Sequence, residues 1–189
     1  FAKIQINSWG HPITTSNDTI DYFLSSKLLE TKDAHKRFSE KLILSDYLPM
    51  YFYKPKIKNI LPEKEIVKKN LYFCSQNLMK IHPHFDEIIG KILTKDKKSK
   101  IFFIKDKNEI MSKKLLKRFE KNNLIDLNRV TFYEKMGVEN YINTCGSSSV
   151  LLDTLYFGAG NSFHESMFYG TPTVTMPTEN LKSRIVLGA

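Results

Sequence analysis

The sequence is poor in the residues that would tie it to a membrane, a metal or a disulfide framework. Its two cysteines, Cys74 and Cys145, lie far apart in apolar surroundings. They have neither the spacing of a metal knuckle nor that of a Cys-x-x-Cys redox pair, which leaves a buried, reduced, structural role. No run approaches the roughly 18 apolar residues of a membrane helix, so no span is expected. His35, His82, His84 and His164 show no metal-ligand spacing and read as surface or helix-end residues. No metal site is expected from them. No repeat recurs at the roughly 20–50-residue period of a solenoid. The chain lacks an initiator Met, a charged-then-apolar leader and a small-residue cleavage site, and it reads as an internal piece of a longer protein with no support for secretion.

What is present suits a globular protein. The 189 residues can bury a real core, and 41% hydrophobic with 12% aromatic content is far from a disordered composition. The net charge of +9 admits nucleic acid, an anionic membrane or a phosphorylated ligand as partner. Most of the excess is lysine spread over 27–41, 54–69 and 91–122, without the arginine and aromatic interleaving of an RNA platform. Solvated lysine faces are the simpler reading.

Residues 1–9 alternate as a strand, "GHP" makes a turn, and "IDYFLSS" is a second extended run. The stretch "KDAHKRFSEKLILSDYLPMYFYKP" is expected to hold a short helical part and then a strand near 51–53. "KPKIKNILPEKEIVKKN" is rich in Lys and Pro and reads as a linker, which divides the chain into 1–55, a linker over 56–70, and 71–189. From 71 onward, strands and helices alternate: "LYFCSQ", "HPHFDEIIGKILTKD", "KIFFIKD", "SKKLLKRFEKNN", "RVTFYEK", "VENYINTCGSS", "VLLDTLYF", a helix over 163–169 and "TPTVTMP". Repeated β-α units predict an α/β fold, a parallel sheet with helices on both faces and right-handed crossovers. The closing "SRIVLGA" reads as truncation inside or just before a helix.

Ligands of open α/β sheets bind beyond the carboxyl ends of the strands, where loops run into helix N-termini. Two loops fit that position. "CSQNLMKIHP" carries Lys80; "FGAGNSFHE" carries Gly158, Ala159 and Gly160, followed by Asn161 and Ser162 as N-cap types. A helix N-terminus offers free N–H groups and about half a positive charge, which suits phosphate, and Lys80 would add a full charge. The loop matches neither Gly-x-Gly-x-x-Gly nor the P-loop, so on its own a helix cap and a solvated surface lysine are the favoured reading.

The string "DTLYFGAGNSFHESMFYGTPTVTMPTENLKSRI" resembles the nucleotide-sugar loop of the O-GlcNAc transferase and SPINDLY-like glycosyltransferases and their bacterial relatives. "YFCSQNLMKIHPHFDEIIGKIL" is similar to that family's lysine loop and following helix, and "IQINSWGHPITTSNDTIDYFLSS" to its Gly-Tyr/His-Pro-x-Thr segment. The resemblance implies a GT-B type α/β fold: 1–55 as the end of a first, catalytic or acceptor-side Rossmann-like lobe, and 71–189 as most of a second, nucleotide-binding Rossmann-like lobe with a parallel sheet. Lys80 would contact the diphosphate and stabilise departing UDP, with Asn77 nearby. Gly158, Gly160, Asn161 and Ser162 would form the phosphate loop, Glu165 would accept from the ribose hydroxyls, and Tyr141 would stack on uracil. Gly10, His11 and Pro12 would line the sugar side. Structural alternatives stand beside these roles: Tyr141 as ordinary core, Glu165 in a first helical turn complementing the dipole, His11 as a turn residue.

The activity so implied is transfer of a sugar, GlcNAc as the expected one, from a UDP-sugar to Ser or Thr of a protein or peptide acceptor, with inversion and without a metal or other cofactor. No Asp-x-Asp motif is present, so Lys80 and the helix dipole would supply the charge. The family's proton-handling residues would fall before Phe1, with the remainder of the first lobe and any helical repeats, and the piece alone is expected to be inactive. Related branches use GDP-fucose or glucosylate Asn; a non-catalytic nucleotide or nucleic-acid binding module is the reading from a different class. A cytoplasmic location is expected.

Overall fold

A computed structural model of the chain describes residues 2–62 and 70–189. Part of the expected linker, 63–69, lies outside the described residues. Two sheets organise the molecule, and every pairing in both is parallel.

The first sheet is β1 (Ile6–Ser8), β2 (Tyr22–Ser26) and β3 (Lys41–Ser45), in that order. The expected strand near 51–53 is not formed: the strand is "KLILS", and 51–57 carries no regular element. The reason is local. The β-branched and leucine run at 42–44 pairs with β2, whereas 51–55 ends in "YKP", and a proline cannot donate into a ladder.

The second sheet contains β4 (Leu71–Phe73), β5 (Lys100–Ile104), β6 (Val130–Tyr133), β7 (Val150–Leu152) and β8 (Thr173–Val174), in the order β6-β5-β4-β7-β8. The chain starts in the middle, builds outward to β6, and returns to the other side of β4 with β7 and β8. Between these strands run the helices α1 (Pro83–Lys95), α2 (Ile110–Glu120), α3 (Val138–Gly146) and α4 (Asn161–Ser166). The short α5 (Ile185–Gly188) closes the chain. Pro83 occupies the first turn of α1, where its missing N–H costs nothing.

Alternation along the strands assigns the two faces. Ile101, Phe103 and Leu152 point into a core with Phe85, Ile89 and Leu93 of α1 and Leu115 and Phe119 of α2. Phe73, Phe102 and Leu151 point to the opposite face, against Tyr141, Ile142 and Cys145 of α3. Burial on both faces is why these strands read as continuous apolar runs. Beside the first sheet a third core joins Trp9 and Phe23 to Leu181 and Ile185, so the C-terminal residues pack back on the N-terminal sheet. The Arg184 Nε donates to the Leu29 carbonyl, and the His164 ring stacks on Phe52 at 3.7 Å.

The boundaries on either side of the loop over 153–160 differ from expectation. β7 stops at Leu152 rather than running to 157, because Asp153 turns its carboxylate onto the following loop. The helix expected over 163–169 begins at Asn161 and continues beyond Ser166 as a 3₁₀ turn, Met167–Tyr169. Its N-cap is therefore Gly160, and Asn161 and Ser162 are its first two residues rather than caps. Among the described residues no helix is long and apolar enough to cross a membrane.

Candidate functional site

The sheets present their carboxyl edges to one cleft of about 610 Å³. Trp9, Gly10, His11 and Pro12 follow β1, Met50, Tyr51 and Phe52 follow β3, Lys80 follows β4, and Phe157, Gly158, Gly160, Asn161 and Ser162 follow β7. A cleft at the point where strand order reverses, between β4 and β7, is the position at which open α/β sheets bind ligands.

Each wall is fixed from behind. The loop after β1 is held by Glu40, buried at 5% exposure, which accepts from Thr14 Oγ1 at 2.7 Å, from the Thr15 amide at 2.7 Å and from the Thr15 hydroxyl. Burial opposes the charge of Glu40, but these hydrogen bonds prevail and lower its pKa to about 2. The Lys80 loop is a 3₁₀ turn, Leu78–Lys80, whose N-cap Asn77 accepts from the Met79 amide at 3.0 Å. Just beyond it, Arg118 of α2 donates to the Ile81 carbonyl at 2.9 Å and bidentately to Asp86 at 2.7 and 2.8 Å.

Lys80 joins the two loops of the second sheet. Its Nζ donates to the Gly158 carbonyl at 2.8 Å and to Gln76 Oε1 at 3.2 Å, and lies 4.4 Å from the centre of the Phe157 ring. The Gln76 Nε2 in turn donates to Ser162 Oγ at 3.3 Å. Burial pulls the Lys80 pKa below its ordinary value, and the nearby Asp153 charge works against that shift. Residues 76, 80, 158 and 162 are thereby one connected polar group. Asn161 and Ser162 begin α4, in the turn whose amides have no intrahelical carbonyl to bond, and no side chain among the described residues caps it.

Of the residues expected from sequence, Lys80, Gly158, Gly160, Asn161, Ser162, Gly10, His11 and Pro12 converge on the cleft. Asn77, Tyr141 and Glu165 lie outside its lining. Asn77 caps the Lys80 turn and faces neighbouring clefts. Tyr141 is 8% exposed within the α3 core; its hydroxyl bonds Ser75 Oγ at 3.0 Å and the Ser162 carbonyl at 3.1 Å. Burial drives its pKa upward, so it stays a protonated phenol that can donate to Ser162. Glu165 is the fifth residue of α4, beyond the first turn where a carboxylate complements the dipole. The sequence reading overlooked Gln76, Phe157, Trp9 and Asp153. Asp153 left a signal: a carboxylate inside an apolar strand run.

With this geometry in place, similarity to known proteins is informative. No family model matches the chain. A rice (Oryza sativa subsp. japonica) protein named "Probable UDP-N-acetylglucosamine-peptide N-acetylglucosaminyltransferase SPINDLY" is 27% identical over 181 residues, covering 93% of the chain. The chain resembles the SPINDLY-like O-GlcNAc transferases. The Arabidopsis thaliana SPINDLY protein is 25% identical over 184 residues, again covering 93% of the chain. The chain spans about a fifth of these relatives' length, 19% and 20% respectively. Among solved structures, a lysine-to-methionine variant of the Thermobaculum terrenum O-GlcNAc transferase superposes with a TM-score of 0.82 at 20% identity, over 97% of this chain and 35% of that one. TarM matches less well, with a TM-score of 0.52 at 16% identity over 82% of this chain and 29% of that one. The α/β fold of GT-B type expected from the SPINDLY-like resemblance is borne out.

Proposed function

We propose that the chain is the donor-binding region of a protein glycosyltransferase that takes a UDP-sugar, UDP-GlcNAc foremost, and transfers the sugar to Ser or Thr of a protein acceptor in the cytoplasm. One observation carries this reading: the Lys80 ammonium lies against the loop that enters α4, in a cleft walled by both sheets. The SPINDLY-like relatives support the reaction class. Residues 1–55 and 71–189 serve as the two walls, with the intervening segment as the linker.

When the bond from the sugar to the diphosphate breaks, its electron pair passes to a phosphate oxygen. A fixed cation and preorganised N–H groups lower the barrier most where that charge appears. Lys80 provides the cation, and the amides of Asn161 and Ser162 provide donors. The residues expected beside them are Gly158 and Gly160 on the phosphates, Asn77 next to Lys80, Glu165 on the ribose, and Gly10, His11 and Pro12 on the sugar; Tyr141, expected to stack on uracil, lies behind the Ser162 carbonyl and would have to be uncovered to do so. In this reading the charge comes from the protein rather than from a metal, and the acceptor attacks with inversion as its hydroxyl proton passes to a general base.

Calorimetric titration of the chain with UDP, GDP and a short oligonucleotide tests the reading. UDP should bind. Lys80→Ala should weaken it by about 1.5–3 kcal/mol, the value of a hydrogen bond to a charged group, or about 10- to 150-fold. GDP preference would move the donor to the fucose branch. Oligonucleotide binding with steep salt dependence and no UDP signal would refute the transferase reading.

A further inference from the structure

Asp153 directly follows β7, and it is 6% exposed. Its Oδ1 accepts from the Thr154 amide at 2.9 Å and the Ala159 amide at 2.7 Å, and its Oδ2 accepts from Thr175 Oγ1 at 2.8 Å. Two of these partners can only donate, so the arrangement satisfies a carboxylate better than a carboxylic acid. The loop also wraps closely around it. A Cβ at Gly158 would stand 2.6 Å from Oδ2, so residue 158 must be glycine for the loop to lie where it does.

That loop is the one Lys80 bonds. The groups in contact with the Lys80 ammonium are the Gly158 carbonyl, Gln76 Oε1 and the Phe157 ring, and the Asp153 carboxylate and the Cys74 thiol act on it through space, beyond ion-pair distance. Carbonyl, amide and ring are neutral, and burial keeps the Cys74 thiol protonated, with its pKa pushed up to about 12. Asp153 is the carboxylate in this set: burial raises its pKa, and the hydrogen bonds from Thr175, Ala159 and Thr154 and the Lys80 charge oppose that rise. We propose that Asp153 is a positioning residue for Lys80: it shapes the loop whose Gly158 carbonyl receives the ammonium, and it sets a buried carboxylate behind that loop as a counter-charge. Its importance for catalysis rests on the nucleotide-sugar reading above, because a cation is what a departing diphosphate requires.

The test uses the chain with lysines labelled at the ε-carbon. The Lys80 resonance is assigned by its loss in Lys80→Arg and followed by NMR through a pH titration. Asp153→Asn preserves shape, since the amide oxygen can accept from Thr154 and Ala159 and the NH₂ can donate to Thr175, while the charge is gone. The Lys80 midpoint should fall in Asp153→Asn, and the pH at which UDP affinity is lost should fall with it. A folded Asp153→Asn whose Lys80 midpoint is unchanged or raised overturns the proposal. Should that variant not fold, Thr175→Val removes only the Oδ2 donor and keeps the charge. There the midpoint should stay or rise, and a fall overturns the proposal. The NMR arm needs no nucleotide. A fallen midpoint without UDP binding leaves the Asp153 role standing and removes the nucleotide reading; UDP binding with an unmoved midpoint does the reverse.

Discussion

Replacing Arg118 by Met should destabilise the second sheet and loosen the Lys80 loop together. Arg118 Nε and Nη2 pair with both oxygens of Asp86 at 2.7 and 2.8 Å, and Nη2 also reaches the Ile81 carbonyl at 2.9 Å. The Asp86 side chain is 7% exposed, so its carboxylate would be left buried with its cation gone. Breaking a buried pair from one side costs about 3–5 kcal/mol, because the surviving charge is desolvated and unmatched. Arg118 itself is 33% exposed, so water can enter the gap and the expected loss is about 2–4 kcal/mol. For a domain of this size that is a fall in Tm of roughly 5–15 °C. Urea unfolding followed by circular dichroism measures it. The double variant Asp86→Leu with Arg118→Met should recover most of the loss, since a buried pair replaced by apolar groups is often neutral. A single-variant loss below about 1 kcal/mol, or a double variant no better than the single, refutes the reasoning. Because the Ile81 carbonyl adjoins Lys80, UDP affinity should fall in the same single variant.

Other outcomes follow from particular contacts. Gly158→Ala would push a methyl to 2.6 Å from Asp153 Oδ2, and should weaken UDP binding by calorimetry at least about tenfold, about 1.4 kcal/mol; unchanged affinity would show that the loop yields freely. Glu40 has a folded pKa of about 2 against an ordinary 4.5, so its stabilisation is complete above the ordinary value and is lost as pH falls toward 2. The stability gap between the parent and Glu40→Gln should therefore close over that interval, and a gap that persists at the acid end would show that another group carries it. Burial pushes both Cys74 and Cys145 to about 12, so a thiol reagent at mildly alkaline pH should modify neither in the folded chain and both after denaturation. Rapid modification of the native protein would contradict their packing.

Much of the second sheet was legible because buried parallel strands and amphipathic helices leave different periods in the sequence. "KIFFI" shows a strand buried on both faces, and Phe85, Ile89 and Leu93 mark one helical face. The first sheet was less so. "YFY" has the composition of a strand, yet only pairing decides, and β2 pairs with 41–45 instead. The β7 boundary was hidden for a related reason: the apolar letters continue to 157, while the Asp153 carboxylate ends the strand by bonding amides ahead of it.

The sequence by itself determined the fold class, the order of strands and helices in the second half, and the two loops that carry Lys80 and Gly158. Spacing and composition reach that far because they act through neighbours along the chain. Tertiary structure decided the rest. It brought Lys80 within 2.8 Å of a carbonyl 78 residues away, put Gln76 between Lys80 and Ser162, and buried Tyr141, expected to stack on uracil, behind the Ser162 carbonyl. It also joined Gly10, His11 and Pro12 to the same cleft through contacts across the two sheets. Those facts depend on which strands become neighbours, and that is fixed by the burial of whole faces rather than by any short run of residues.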